Sequence, residues 1–363
     1  MRNPDKRRFL DATRHIETAE IPLFEIGPDM ALARQILGKD LPMDRLVYEL
    51  PIADYVELNR RMGNDMVYFA HIWRLGRVQR QDAEGRLHYI DGMFKSPDDL
   101  KDIWYPDLDL QQRRLEALLH ALEGTGMGVV CSTQPAPFIV ATAMGYQDFW
   151  VNAKWRPEFV EEFTRIIQEW CLRELEAYLR FPVDVIKIGS AFVTKTGPMC
   201  SPAMLERLET RYLRQQIQMA KAQGRLVFHH IDGNIARMIP DFIEMGIDIL
   251  NPIEPCAGLQ DIYEIKAQYG DRIALCGNID IDGVLMHGSR EEITRDVHEH
   301  IDRLGGGGGY ICASSHDLHQ LIPLENFYTM RDAVHAYRFT RPTGALPIAA
   351  PAIHSSTHKG VTS

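Results

Sequence analysis

The sequence predicts an α/β protein built as a (β/α)8 TIM barrel. Eight short apolar runs, rich in Val and Ile, alternate along the chain with longer amphipathic stretches. Runs of this length are typical of buried strands, and the stretches between them have the apolar spacing of helices. Repeated strand–helix alternation favours parallel pairing, and eight repeats is the number in a closed barrel. A doubly wound open sheet shows the same alternation and stays an alternative, because closure leaves no mark on the sequence.

The elements follow one another in a regular order. Strands are predicted at residues 21–26, 66–70, 128–131, 183–189, 225–229, 249–253, 273–276 and 310–312. Helices are predicted at residues 110–122, 157–181, 202–222, 235–245, 259–269, 290–304 and 323–335. Two helices carry clear start signals, because Ser201 precedes a proline and Ser289 precedes an Arg-Glu-Glu run that places acid in the first turn. Glycines such as Gly224 and Gly246 follow helix ends, where glycine commonly terminates a helix.

Two segments interrupt the alternation. Residues 77–94 alternate polar and apolar side chains around Ala83-Glu84-Gly85, which predicts a β-hairpin inserted after the second strand. Residues 341–363 contain prolines but no acidic side chain, which predicts a disordered tail. We therefore expect a single barrel domain over residues 1–340.

Composition excludes several classes of protein. The chain has 363 residues, with 40 Lys and Arg against 50 Asp and Glu, for a formal net charge of −10. Such an acidic chain offers no basic face for nucleic acid. It has no apolar run long enough to span a membrane and no apolar segment behind its basic start that would make a signal peptide. Its six cysteines form no CxxC pair, which is typical of reduced thiols and predicts a cytoplasmic protein.

Candidate functional residues lie where the predicted strands end. In a barrel, the C-terminal ends of the strands gather around one opening, and active sites form there. The polar residues at these positions are Glu25, His71, Gln134, Ser190, His230, Asp232, Glu254, Cys276, Asn278, Asp280, Ser314 and His316. The residues expected to contact substrate are Glu25, His71, Gln134, Asn278 and Asp280. Glu254 is expected to act as a general base or a hydrogen-bond acceptor.

The strongest cluster is His229-His230-Ile231-Asp232 at the end of the fifth predicted strand. Side chains two residues apart on a strand point the same way, so His230 and Asp232 can face one ligand. With His316 after the last strand they make a His/Asp/His set suited to zinc or another divalent metal, and Cys276 can add a thiolate. Two alternatives stay open: Asp232 caps the following helix, and His230 binds substrate or backbone without a metal.

Lys187 and the glycine run at 305–309 can each be explained by a functional or by a structural role. Lys187, on the fourth predicted strand, is a candidate Schiff-base nucleophile if burial lowers its pKa, or else a member of an ion pair. The five glycines 305–309 resemble a phosphate loop, but no helix follows them, which favours a tight turn between helix and strand.

Several motifs together resemble the uroporphyrinogen decarboxylase superfamily. They are His230-Ile-Asp-Gly-Asn, Asp248-Ile-Leu-Asn-Pro-Ile-Glu-Pro, Leu275-Cys-Gly-Asn-Ile-Asp, Gly308-Gly-Tyr-Ile, Ser315-His316, Pro323-Leu-Glu-Asn and Gly197-Pro-Met-Cys-Ser-Pro. The resemblance covers residues 20–340 and implies a (β/α)8 barrel. It also implies a homodimer.

The sequence departs from true porphyrinogen decarboxylases in that superfamily. Those enzymes have an N-terminal arginine cluster for the substrate carboxylates and an aspartate after the second strand. Here Glu25 and Asp29 stand where the arginine cluster would be, and His71 follows the second predicted strand in place of the aspartate. A substrate with many carboxylates would meet like charge, which argues against the name-giving reaction.

The other branch of the superfamily comprises zinc-dependent methyltransferases that exchange a methyl group with a corrinoid protein. Their zinc ligands fall by position on His230, Asp232 and His316, with Asp and His replacing cysteines. The resemblance therefore implies metal-assisted methyl transfer, zinc being the first expectation, with the corrinoid carried by a partner protein. A metal-free decarboxylase or lyase, with His230 and His316 as proton donors, is the alternative. A third, non-enzymatic possibility is a barrel kept as a binding protein.

Overall fold

The computed structural model describes residues 2–255 and 260–339. The predicted tail at 341–363 and the first residue of the helix predicted at 259–269 lie outside these described residues. Within them, the helices are α1 (Lys6–Thr13), α2 (Met30–Leu37), α3 (Ile52–Met62), α4 (Leu108–Ala121), α5 (Ala136–Met144), α6 (Tyr146–Trp155), α7 (Pro157–Leu179), α8 (Pro202–Leu205), α9 (Arg211–Ala222), α10 (Ile239–Met245), α11 (Ile262–Tyr269), α12 (Arg290–Leu304) and α13 (Leu324–Ala336). The strands are β1 (Met66–Phe69), β2 (Arg77–Gln81), β3 (Leu87–Gly92), β4 (Gly128–Thr133), β5 (Val185–Gly189), β6 (Val193–Thr194), β7 (Gly197–Pro198), β8 (Leu226–Ile231), β9 (Ile249–Pro252), β10 (Ala274–Ile279) and β11 (Tyr310–Ser314).

Seven strands form one parallel sheet in the order β1-β4-β5-β8-β9-β10-β11. Each follows its neighbour along the chain with helices between them, as the alternation predicts. Seven of the eight predicted strands are thus confirmed. The fold is an α/β barrel of the TIM type, and the C-terminal ends of its strands meet at one mouth.

The first predicted strand, 21–26, is not a strand in the structure. This segment bridges the two edges of the sheet: Phe24 N–H donates to the Cys312 carbonyl at 3.1 Å, and Asp65 N–H donates to the Leu23 carbonyl at 3.0 Å. The Asn64 side chain hydrogen-bonds both backbone groups of Glu25: its Oδ1 accepts the Glu25 N–H at 2.9 Å, and its Nδ2 donates to the Glu25 carbonyl at 3.0 Å. Pro22 has no N–H to donate. A regular ladder therefore cannot form, although the segment fills the place of the eighth strand.

Side chains along the sheet alternate between the barrel interior and the helix layer. Tyr68, Val185, Phe228 and Cys276 belong to the interior cluster. Their immediate neighbours along the strands pack against the surrounding helices. This two-residue period aims Lys187 and His230, which lie two residues beyond Val185 and Phe228, into the barrel.

Helix α1 covers the N-terminal end of the barrel. Phe9 packs edge-on against Phe24, with ring centroids 5.5 Å apart. Asp65, fully buried at the start of β1, binds Arg8 Nη2 at 2.7 Å and Arg2 Nη2 at 3.3 Å. The bottom of the barrel is therefore closed, and access is from the opposite end.

The β2–β3 hairpin lies beside the mouth. Its Tyr89 hydroxyl donates to the Thr142 carbonyl of α5 at 3.0 Å. Its tip reaches the loop after β11, where Arg86 Nη2 donates to Gln320 Oε1 at 2.6 Å. In the described residues, no helix has the length and apolar character to cross a membrane.

Candidate functional site

A small cleft opens at the C-terminal end of the barrel between β8, β9, β11 and the bridging segment. Its lining residues are Phe24, Glu25, Ile26, His230, Asn251, Ala313, Ser314, His316 and Asp317. His230 lies inside β8 rather than after it, because β8 continues two residues past its predicted end. Of the side chains that the sequence singles out most strongly, His230 and His316 line the cleft, and Asp232 lies 3.7 Å from both.

The proton on His230 is fixed by Asn251. Asn251 Nδ2 donates to the Cys276 carbonyl at 3.0 Å, so its Oδ1 is the atom that faces His230 Nδ1 at 2.7 Å. Since an amide oxygen only accepts, His230 Nδ1 carries the hydrogen and donates. When the ring is neutral, its Nε2 therefore presents a free lone pair toward the cleft. Burial, followed by the charge of Lys187, lowers the pKa of His230 to about 4, which keeps the ring neutral at pH 7.

His316 has the opposite proton arrangement. Its Nδ1 accepts the Asp317 backbone N–H at 2.7 Å, so its Nε2 carries the hydrogen. The Nε2 atoms of His230 and His316 each lie 3.7 Å from Asp232 Oδ2, and the ring centroids are 6.3 Å apart. A hydrogen-bond acceptor and a donor thus face one carboxylate.

Asp232 is a half-exposed side chain with one hidden oxygen. Its Oδ1 is buried and has no hydrogen-bond partner in the described part of the chain. Burial raises the pKa of Asp232, against the opposing charges of His316 and Lys187. A carboxyl with an unpartnered buried oxygen favours the protonated form, so Asp232 is suited to hold a transferable proton.

The donor set fits a metal only in part. Within residues 2–255 and 260–339, no three His, Cys, Asp or Glu side chains are arranged to hold a metal ion. Two ligands of one tetrahedral zinc lie about 3.4 Å apart, close to the spacing here, and His230 Nε2 and Asp232 offer free donor atoms. His316 does not, because its Nε2 carries the hydrogen. It would need another ring orientation to bind, and the metal stays a prediction.

A short hydrogen-bonded chain connects Glu25 to the His316 loop. Glu25 Oε1 accepts the Ser314 N–H at 2.8 Å, and Glu25 Oε2 lies 2.5 Å from Ser314 Oγ. The same Ser314 Oγ lies 2.6 Å from the His316 carbonyl, which can only accept. A hydroxyl has a single proton, so both contacts are satisfied when Glu25 is protonated and donates to Ser314. Burial raises the pKa of Glu25 to about 8, which agrees with a neutral acid.

The other side chains expected to contact substrate form hydrogen bonds within the protein. Gln134 Oε1 accepts the Trp73 N–H at 2.5 Å. Asn278 Nδ2 donates to the Ile253 carbonyl, and its Oδ1 lies 3.0 Å from His300 Nε2. Asp280 accepts the N–H groups of residues 282 and 283 at 3.1 Å as a helical cap. Their role in binding substrate stays a prediction.

The remaining candidate side chains differ in how available they are to a ligand. Glu254 accepts the Gly233 N–H at 2.7 Å and so supports the turn after β8. Cys276 is fully buried, and burial raises the pKa of its thiol well above the usual range, which disfavours a thiolate. His71 Nδ1 is buried without a partner among the described residues, and burial lowers the pKa of His71 to about 4. His71 therefore stays available to a ligand as a neutral ring.

The residues that sequence reasoning missed include Asn251 in the cleft and Tyr68 in the barrel interior. Asn251 sets the His230 proton, and the two-residue period of β9 was the signal that aims it inward. Tyr68 lies beneath Lys187, with Nζ 5.6 Å from the ring centroid. The same period on β1 and β5 predicts that pair.

Comparisons with known proteins agree with this architecture. The family model described as uroporphyrinogen decarboxylase (URO-D) matches residues 81–337. The uroporphyrinogen decarboxylase of Pseudoalteromonas atlantica is 35% identical over 77 residues, 21% of each chain, and that of Coxiella burnetii is 21% identical over 206 residues, 55% of this chain and 51% of the other. These alignments thus span from a fifth to half of the relatives' length.

One solved structure is similar over nearly the whole chain. It is described as a methyltransferase from Methanosarcina mazei, and it covers 91% of this chain and 98% of its own with a TM-score of 0.70 at 17% identity. At that identity, the likeness shows the fold. Since the family match extends over well more than half of the residues, the chain belongs to the uroporphyrinogen decarboxylase family.

Proposed function

We propose that this protein is a methyltransferase of the family that moves a methyl group between a small substrate and a corrinoid carried by a partner protein. The observation that carries the proposal is the convergence of His230, Asp232 and His316 around one point of the cleft. The fold of the methyltransferase from Methanosarcina mazei supports the same choice. The partner and the corrinoid are parts of the proposal.

Methyl transfer needs help at the leaving atom. When the bond between the methyl carbon and a substrate oxygen or nitrogen breaks, that atom keeps the electron pair and must gain a proton. Asp232 is the proton donor in this proposal, because burial favours its protonated form. The His316 N–H stabilises the developing charge, and the Asp232 carboxylate left behind takes the proton back when the reaction runs in reverse. The free Nε2 of His230 lies 3.7 Å from Asp232 and can accept a hydrogen bond from the protonated acid. A divalent metal held by His230 and Asp232, and by His316 after a ring rotation, would supply the same polarisation as a Lewis acid.

The cleft does not suit the name-giving decarboxylation. Glu25 occupies its wall, and no arginine is among the cleft-lining residues of the described chain. A substrate with many carboxylates needs several cations that this cleft does not offer.

A second candidate is a decarboxylase or lyase reaction on a smaller acid. The opposed proton arrangements of His230 and His316 favour it, because they supply an acceptor and a donor without a metal. This reaction needs a proton delivered to the carbon that loses CO2.

The proposal is tested with free cob(I)alamin as methyl acceptor and a panel of methyl ethers and methylamines. Formation of methylcobalamin is followed by absorbance for the wild type, Asp232→Asn and His316→Gln. His319→Gln is the control, since His319 lies in the same loop. We expect turnover with at least one donor and a loss of about 100-fold or more in the Asp232 variant. Release of CO2 from an acid, with no methylcobalamin from any donor, would support the second candidate.

The metal is tested separately by elemental analysis of the wild type and of His230→Ala. One zinc per chain that is lost in the variant would support a Lewis-acid role. Equal, trace amounts in both proteins would favour proton transfer alone.

A further inference from the structure

The barrel interior contains a lysine that has no anionic partner among the described residues. Lys187 points into the barrel from β5, and its Nζ makes no salt bridge or hydrogen bond with the described residues. Its recorded contact is with the ring of Tyr68, 5.6 Å from Nζ to the centroid. A half-buried ammonium normally has a carboxylate or several oxygen acceptors around it.

Room for one methyl-sized group lies beside this lysine. Gly189 follows two residues later on β5, and a Cβ built there would lie 3.8 Å from Lys187 Nζ and 3.7 Å from the His230 carbonyl oxygen. Nζ therefore reaches the level of the last residue of β5, beside the strand that carries His230. The missing side chain leaves room for a ligand atom next to the ammonium.

Two phenols accompany the lysine. The rings of Tyr48 and Tyr68 meet edge to face, with centroids 5.6 Å apart. Neither hydroxyl is hydrogen-bonded to another of the described residues. Burial raises the pKa of Tyr48 well above its usual value, so this phenol remains a donor at neutral pH. Together, the three side chains offer O–H and N–H donors with one positive charge.

The three groups lie close to the proposed chemistry. Burial, and after it the charge of Lys187, lowers the pKa of His230. The charge also acts on Asp232, where it opposes the increase caused by burial. The Gly189 position, 3.8 Å from Lys187 Nζ and 3.7 Å from the His230 carbonyl oxygen, connects the two groups, so one small molecule can reach both.

We propose that Lys187, Tyr48 and Tyr68 form an anion-binding subsite that holds the carboxylate of a small monocarboxylic substrate. A carboxylate has two oxygens and one negative charge, which one ammonium and two phenols match. A phosphate dianion has a second negative charge, which a single ammonium does not match. This inference rests on the proposed function only in taking the methyl donor as the molecule that carries the carboxylate.

Binding is measured by calorimetry, without methyl transfer. The probes are methoxyacetate and 3-methoxypropionate, their neutral amides, and inorganic phosphate. We expect the carboxylates to bind the wild type at least about tenfold more tightly than the amides. Lys187→Met should remove that preference, and Tyr68→Phe, which leaves the charge in place, should weaken carboxylate binding several-fold. Lys101→Met, at an exposed lysine, should change nothing.

Several results would overturn the subsite. They are equal affinity for acids and amides, tighter binding of phosphate, unchanged binding by Lys187→Met, or no binding of either carboxylate to the wild type. Carboxylate binding that depends on Lys187, in a protein that transfers no methyl group, would instead refute the proposed function and leave the subsite standing.

Discussion

Replacing Glu25 with glutamine tests whether this buried acid is protonated in the folded protein. Glutamine has the shape of the neutral acid: its Oε1 can accept the Ser314 N–H, and its Nε2 can donate to Ser314 Oγ, so the chain of hydrogen bonds to the His316 carbonyl survives. Burial raises the pKa of Glu25 from 4.5 to about 8 in the fold. A group whose folded pKa is raised stabilises the fold fully below its unfolded pKa, and this stabilisation is lost as pH rises through the folded pKa.

The size of the effect follows from that difference. Between the two pKa values, the wild type loses about 1.4 kcal/mol of unfolding free energy per pH unit from this one group. From about pH 5 to about pH 7.5, the loss is about 3 kcal/mol, and Glu25→Gln should not suffer it. The unfolding free energy of the variant should therefore rise relative to that of the wild type by about 3 kcal/mol across the interval. The other acids titrate equally in both proteins and cancel in this comparison.

The measurement is urea unfolding followed by tryptophan fluorescence at several pH values in this interval. Glu84→Gln, at an exposed side chain, is the control and should follow the wild type at every pH. A stability difference between Glu25→Gln and the wild type that stays constant with pH would show that Glu25 is ionised in the fold. It would also refute the proton assignment along Ser314.

Three further predictions concern other parts of the barrel. Asn251→Asp should raise the pKa of His230 from about 4 by at least one unit, because a carboxylate would then accept its Nδ1 hydrogen. NMR titration of the imidazole measures this pKa, and an unchanged value would contradict the contact. Asp65→Asn should lower the unfolding free energy by about 3 kcal/mol, because it removes the fully buried carboxylate that binds Arg2 and Arg8 and leaves them only the more exposed Glu20. A loss below about 1 kcal/mol in urea unfolding would count against this role. Gly189→Ala should unfold at the wild-type urea concentration, since its Cβ meets only ordinary contacts, yet weaken methoxyacetate binding measurably by calorimetry.

The sequence was sufficient to predict most of the barrel. Apolar runs such as the one around Val185 are buried on both faces in a parallel sheet, so their hydrophobicity is continuous and easy to recognise. The segment around Glu25 has the same appearance but forms no regular ladder. Its backbone groups are bound by the Asn64 side chain, 39 residues away in the chain, and nothing local signals that contact.

The candidate site could be predicted only as a set of residues. The position of His230, Asp232 and His316 near one another follows from the barrel, since strand ends converge. Their proton arrangement does not, because it depends on an amide orientation set by the Cys276 carbonyl and on a backbone N–H in the His316 loop. Tyr48, which packs against Tyr68, lies on the short 3₁₀ turn Val47–Glu49, outside any strand period.

The bridging segment also has a consequence for synthesis on the ribosome. Phe24 and Glu25 find their partners at Cys312 and Ser314, and the side-chain contacts of Glu25 span 289 residues of sequence. At about 5–20 residues per second, the N-terminal segment waits roughly 15–60 s before those partners are made. Until then, the edges of β1 and β10 are both unpaired, and Glu25 faces water as a charged side chain. The nascent protein is therefore most exposed to aggregation late in translation, and only its final strand ends that exposure.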